Sequence, residues 1–298
     1  MSAGGKPGPR NANRRLRGGP SGRCGIIRAG LTVDLLSRME SESIYVIREA
    51  YSRYSRIGML WSMGKDSTAL LWLCRKAFFG TIPFPVVHID TSYKFKEIYE
   101  FRDRIAKEWN LDLRVARNEE ALADGMGPKK IDKFACCNAL KTTALKQAIA
   151  TLGFEALLLG IRRDEHGVRA KERYFSPRAQ DFTWNVGAQP PELWDLYATV
   201  DEAAHDRIHP LLHMTELDIW RYVRREGIPV NPLYLAKDGK RYRSIGCSPC
   251  CMPIDSNAAT VDEIVAELES SREPERAGRA QDKENAFTMQ KLRSLGYM

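Results

Sequence analysis

The chain of 298 residues carries a formal charge of +8, 43% hydrophobic residues and seven cysteines. Its length allows a full core and exceeds what one modest domain needs, and no apolar run approaches the roughly 18 residues of a membrane span. Residues 1–33 hold seven basic and no acidic residues, which leaves 39 basic against 38 acidic in the rest and speaks against a broad nucleic-acid-binding face there.

Residues 1–38, rich in Gly, Pro and Arg, read as a disordered basic tail, first of all an extended start ahead of Met39, with a nucleic-acid arm or a targeting peptide as alternatives. Ile57 to Trp61 is a short β-prone run, and Ala69 to Leu73 opens a helix. Between them lies Ser62-Met-Gly-Lys-Asp-Ser67. A strand that turns through a glycine loop into a helix aims unpaired N–H groups and the positive helix end at one point, which attracts phosphate. The Walker A pattern fails twice, at Met59 and at Asp66. Gly64 would let backbone approach the phosphates, Lys65 offers a point charge, Ser62 and Ser67 offer hydroxyls, and Asp66 suits magnesium.

A second, buried strand runs through Thr81-Ile-Pro-Phe-Pro-Val-Val-His-Ile-Asp90-Thr91 and ends in a carboxylate, followed by a helix from Phe95 to Trp109 and a third strand from Leu111 to Arg117. A helix from Asn138 to Ala150 and a fourth strand from Ala156 to Ile161 complete the rhythm. The alternation predicts an α/β fold, a parallel sheet with helices on both faces, whose ligand site lies beyond the carboxyl ends of the strands. Asp90 would there meet ribose or magnesium, or else cap a helix. Arg162, Arg163, Arg169, Lys171 and Arg173 would hold a triphosphate and a second anion, or else form a solvated face. Past residue 175 the rhythm stops. Thr215 and Asp218 form a capping box for a helix closed by Gly227 and Pro229, and Val261 to Ser270 is a last amphipathic helix. The expected division is a nucleotide-binding domain over 39–175 and an irregular, partly helical segment over 176–298.

Ser62-Met-Gly-Lys-Asp-Ser67 resembles the PP-loop of ATP pyrophosphatases, the S-G-G-K-D-S pattern, with Met63 at its second position. With Phe84-Pro-Val-Val-His-Ile-Asp-Thr91, Lys141-Thr-Thr-Ala-Leu-Lys146, Gly160-Ile-Arg-Arg-Asp-Glu165 and Ala170-Lys-Glu-Arg173, the chain from about Glu40 onward resembles the small, catalytic subunits of bacterial sulfate adenylyltransferase. These sit within the wider phosphoadenylyl-sulfate reductase group and the adenine nucleotide alpha hydrolase-like folds. The resemblance implies that a sulfate oxygen attacks the α-phosphorus of ATP, with Mg2+ present, giving adenylyl sulfate and pyrophosphate. It implies Ser62, Gly64, Lys65, Asp66 and Ser67 as the pyrophosphate site and Asp90 as a nucleotide contact. Lys65, Arg162, Arg163, Lys171 and Arg173 would meet the anionic substrate and the developing charge. It also implies a separate GTP-hydrolysing large subunit, since this chain has no GTPase pattern.

Cys136-Cys137 with Cys247-Ser-Pro-Cys250 departs from that family and resembles the set that binds a four-iron, four-sulfur cluster in adenylyl-sulfate reductases. Four thiolates suffice for such a cluster, while zinc and unligated thiols stay open. No cysteine follows Cys251, so the nucleophile a reductase places near its C-terminus is lacking. The rival reading is a sulfur-transfer enzyme that activates nucleic acid, in DNA phosphorothioation or tRNA thiolation, with a sulfur donor protein as partner. A nucleotide-binding cluster scaffold without turnover is the third. Seven cysteines in a chain this long, without a secretion signal, point to a reducing cytoplasm.

Overall fold

The computed structural model describes residues 1, 34–194, 196–197, 203–271, 275, 291–292 and 294–296. The tail read in residues 1–38 lies outside them up to residue 33. A helix that the sequence reading lacks, α1 (Leu35–Arg53), precedes β1 (Ile57–Leu60), α2 (Lys65–Ala77), β2 (Val86–Ile89), α3 (Lys96–Glu108) and β3 (Leu113–Ala116). Then come α4 (Glu119–Ala123), α5 (Lys133–Cys137), α6 (Ala144–Leu152), β4 (Ala156–Leu158) and β5 (Phe175–Arg178). A short hairpin, β6 (Glu192–Leu193) and β7 (Leu196–Tyr197), leads to β8 (His205–Ile208), α7 (Glu216–Glu226), β9 (Lys240–Arg241), β10 (Ile254–Asp255) and α8 (Val261–Ser270).

Six strands form one sheet in the order β3-β2-β1-β4-β8-β5. Every pairing from β3 to β8 is parallel, and only the edge strand β5 runs antiparallel. The sheet therefore continues past residue 175, since β5 and β8 both lie beyond it. The two-residue period sorts the strands between two apolar layers. Ile57, Met59, Val86, Ala156 and Leu158 join one core, with α1, α2 and α7. Leu60, Val87, Ile89, Leu157 and Leu159 join the other, with Ala144, Leu145, Ala148 and Ile149 of α6. No helix among the described residues is long and apolar enough to cross a membrane.

Local signals set several boundaries. Thr215 and Asp218 close a capping box on α7, and Gly227 ends it at φ +63°, the left-handed conformation that only glycine adopts without cost. Thr260 and Glu263 do the same for the start of α8. The helix expected over Asn138 to Ala150 is not regular: Asn138–Thr143 is a π-helical stretch between α5 and α6. It buries Leu140, Lys141 and Thr142.

Candidate active site

β1 ends at Leu60 and α2 starts at Lys65, so Ser62, Met63 and Gly64 make the turn. Gly64 caps α2 without a side-chain acceptor, and the Lys65 backbone N–H donates to the Tyr234 hydroxyl at 2.9 Å. The two serines close the loop, with Ser62 Oγ and Ser67 Oγ 3.1 Å apart and Ser67 Oγ donating to the Gly64 carbonyl at 3.2 Å. Met63 holds φ +57° and is fully buried. The left-handed backbone costs a non-glycine residue about 1–2 kcal/mol, which burial of a methionine side chain, about 1.5–3 kcal/mol, offsets. The departure from glycine in the loop pattern is thus repaid by the core.

β4 delivers the opposing wall. Gly160, just past its end, leaves no room for a side chain: a Cβ there would sit 2.9 Å from both the Ser67 nitrogen and its Cα. That close approach sets Arg162 over the loop. Its guanidinium, wholly buried, pairs with Asp66, with Glu275, and through Nε with Asp164 Oδ1 at 2.9 Å. Asp164 Oδ2 in turn accepts the Glu216 N–H at the start of α7, at 2.7 Å. Lys65, 1% exposed, pairs with Asp66 at 3.1 Å and with Glu275. Burial alone would push the Lys65 ammonium down, yet Asp66 and Glu275 hold it well above its ordinary range. Arg162 is held charged in the same way. Both cations are therefore fully charged at the head of α2.

Ser62, Gly64, Asp66 and Ser67 line one cleft with His88, Lys94, Lys141, Gly160, Glu165, Arg169 and Tyr234, and the Ser244–Gly246 loop forms a further wall. Other expected residues lie elsewhere. Arg163 packs 5.2 Å over the Tyr174 ring, and Lys171 and Arg173 are exposed and do not line the cleft. Asp90 is buried and already engaged: it receives two hydrogen bonds from Arg117 at 2.6 and 2.9 Å, one from Tyr99 at 2.8 Å and one from the Ser92 N–H at 2.9 Å. Burial works to raise its carboxyl, and these donors together hold it below the usual range. It does not cap α3, whose N-cap is Phe95. Sequence reasoning had Arg169 in the cluster but missed Lys94, Lys141, Glu165 and Tyr234 as cleft residues. Lys141 and Glu165 stand inside quoted motifs, whereas nothing local marks Tyr234, which lies 169 residues from the loop it bonds.

Cys136, Cys137, Cys247 and Cys250 line a second pocket, with Thr91, Tyr93, Lys133, Leu140 and Lys141. α5 brings the first pair, capped by Asp132. Pro249 starts a single turn over Ser248–Cys250 that brings the second, fastened by the Ser248 N–H on the Tyr93 carbonyl at 2.8 Å. No disulfide joins the six described cysteines. Burial, with Cys137 alongside, pushes the Cys136 thiol up to about 12, and burial raises Cys250 as well. Lys141 lines both pockets, so they share a wall.

Comparison with known proteins bears on this arrangement. The family model for the phosphoadenosine phosphosulfate reductase domain matches residues 56–253. A sulfate adenylyltransferase subunit 2 of Chelativorans sp. is 42% identical over 88% of this chain and 97% of its own. The chain belongs to the sulfate adenylyltransferase subunit 2 family. The subunit 2 of Colwellia psychrerythraea, 40% identical over 88% of this chain and 98% of its own, agrees. Membership makes the chain a nucleotidyltransferase of the PP-loop type, active in sulfate activation. Among solved structures, Candida glabrata FMN adenylyltransferase in complex with FAD and inorganic pyrophosphate shares the fold. Its TM-score is 0.55 at 16% identity, over 83% of this chain and 89% of the other.

Proposed function

We propose that the cleft binds ATP with its β- and γ-phosphates on the Ser62–Ser67 loop, and that a sulfate oxygen attacks the α-phosphorus while the bond to the β-phosphate breaks and pyrophosphate leaves. The observation that carries this reading is the placing of two buried, charged cations, Lys65 and Arg162, around Asp66 at the head of α2, next to the loop residues that line the cleft. Preorganised cations in a site shielded from water stabilise the charge that develops on the leaving oxygens without reorganisation at the moment of reaction. Arg169, Lys94 and Lys141, which line the cleft, are better placed for the second anion than Arg163, Lys171 and Arg173. Asp66 and Glu165, whose carboxylates lie within 4.8 Å of each other, suit the magnesium that accompanies the nucleotide. Asp90 acts by holding Arg117 and Tyr99 beside the cleft rather than by touching the nucleotide.

Cys136, Cys137, Cys247 and Cys250 would hold an iron–sulfur cluster, and their common pocket supports that assignment. Among the described residues, no three of these sulfurs lie within 4.8 Å of one another. Tetrahedral zinc, with Zn–S bonds of about 2.3 Å, needs a tighter set, so the spacing favours the larger group. When bound, the cluster would supply thiolate charge and either electron storage or a sulfur-carrying metal face. The relatives are named as second subunits, which supports a separate partner subunit for this chain; a GTP-hydrolysing partner would drive the unfavourable equilibrium.

The test uses anaerobically prepared protein with ATP and magnesium, with and without sulfate, and identifies the nucleotides by mass. Adenylyl sulfate formed only with sulfate is the expected result. AMP without adenylyl sulfate would point instead to sulfur transfer onto nucleic acid.

A further inference from the structure

Between α7 and β9 the chain makes a single short turn over Pro232–Tyr234, started by Asn231. The turn is pinned on three sides. Asn231 Oδ1 accepts the Leu233 N–H at 3.1 Å, Asn231 Nδ2 donates to the Glu97 carbonyl of α3 at 3.2 Å, and the Leu233 carbonyl accepts the Tyr242 N–H at 2.9 Å. Trp220 of α7 meets the Tyr234 ring edge-on, with centroids 5.4 Å apart, and Tyr234 is 2% exposed. A ring kept for packing alone could be phenylalanine, whereas a buried phenol needs a partner for its oxygen and another for its proton. The oxygen has one, since it accepts the Lys65 N–H at 2.9 Å. The proton has no acceptor among the described residues. Burial pushes the phenol well above its ordinary value, so that proton is retained at neutral pH.

The hydroxyl lies against the phosphate loop. A Cβ on Gly64 would sit 3.4 Å from it and 3.3 Å from Ser62 Oγ, and Ser62, Gly64 and Tyr234 line the same cleft. The two loop serines use their protons within the loop: Ser67 Oγ donates to the Gly64 carbonyl at 3.2 Å, and Ser62 Oγ lies 3.1 Å from Ser67 Oγ. Of the three hydroxyls around Gly64, that of Tyr234 is the one with a donor to offer. We propose that the Tyr234 hydroxyl donates a hydrogen bond to the bound polyphosphate, so that this residue both fixes the first N–H of α2 and touches the ligand. The proposal rests on the reading of the cleft as a polyphosphate site and gives that site a residue from outside the loop. By accepting from Lys65 the phenol is polarised, which strengthens its own O–H as a donor to a charged oxygen. The turn already holds the ring, so little side-chain freedom is lost when the ligand arrives.

The experiment measures inorganic pyrophosphate binding to the full-length protein by calorimetry at fixed magnesium. It compares the wild type, Tyr234→Phe, and protein with 3-fluorotyrosine in place of Tyr234. The fluorinated phenol is a stronger donor and a weaker acceptor than tyrosine, so it separates the two halves of the hydroxyl. The expected result is about ten-fold weaker binding in Tyr234→Phe and tighter binding than wild type with 3-fluorotyrosine. Wild-type affinity in Tyr234→Phe would overturn the proposal. Equal or weaker binding with 3-fluorotyrosine would overturn it too, because weaker binding is the sign of a hydroxyl that only accepts from Lys65. The fluorinated protein keeps ring and hydroxyl, so the test stands even if Tyr234→Phe does not fold. If the wild type itself does not bind pyrophosphate, the cleft reading fails and the proposal falls with it, an outcome distinct from a wild type that binds and a Tyr234→Phe variant that matches it.

Discussion

The cleft at the Ser62–Ser67 loop and the cysteine pocket share Lys141 and one continuous loop, Ser244 to Cys250, yet they answer the problem of buried polarity in opposite ways. In the cleft, charge is buried with its counter-charge: Lys65 and Arg162 against Asp66, Asp164 and Glu275. Lys65 and Arg162 are held charged by these partners, while burial works to raise the Asp66 carboxyl. In the pocket, burial drives Cys136 and Cys250 toward the neutral thiol. Those sulfurs become strong ligands only when a metal takes their protons. Paired buried charge and buried neutral thiols are thus set side by side.

Four experiments sharpen or break that contrast. The largest effect is expected from Lys65→Ala, which should cut pyrophosphate release by about 100-fold or more while the far-UV circular dichroism is retained. Normal turnover would remove the loop from the mechanism. Gly160→Ala comes next. Its methyl group would collide with Ser67 backbone, which cannot move without moving the loop. A loss of about ten-fold in kcat/KM and about 1–3 kcal/mol in denaturant stability should follow, and unchanged kinetics would mean that the loop is not held by β4.

Cys136→Ser tests the other side. Anaerobically purified wild-type protein should be brown and contain iron, and the variant should lose both, with pyrophosphate release reduced by less than about ten-fold. Colour retained at full iron content would exclude Cys136 from the ligand set. A collapse of turnover as large as that of Lys65→Ala would break the contrast itself. The smallest change is expected from Asp90→Asn, a loss of about 1–2 kcal/mol at neutral pH, modest because Arg117 is partly exposed. Folded Asp90 titrates below its ordinary value. Its contribution is therefore present above the unfolded carboxylate pKa of about 3.9 and is lost as pH falls through the lower folded value, so the two proteins should converge in acid. A gap that persists in acid would reject the ion-pair account, and a large rise in KM for ATP would restore Asp90 as a nucleotide contact.

Much of the fold and part of the site were legible in the chain because their signals are local. A strand, a glycine turn and a helix start fall within a dozen residues around Ser62–Ser67, and two capping boxes announce α7 and α8. Short, continuous apolar runs gave β1, β2 and β4 as strands, and these are buried at every position. The cysteine spacing singled out four residues as candidate ligands, and the fold gathers those four in one pocket. The arginine cluster was only half legible. Arg162 and Arg163 are neighbours in sequence, but the strand end turns one into the loop and the other onto Tyr174.

By itself, then, the sequence determined the strands and helices from β1 to β4 in outline, the phosphate-seeking turn and the family, because capping, periodicity and glycine conformations act over a few residues. Tertiary structure alone decided the rest. β5 and β8 joined the sheet past the expected boundary at residue 175, since strand pairing is chosen by burial across the whole layer. Arg117 and Tyr99 captured Asp90, Tyr234 reached the head of α2, and Glu275 entered between Lys65 and Arg162. A buried charge takes the partner that folding brings within reach, and chain distance says nothing about which one that is.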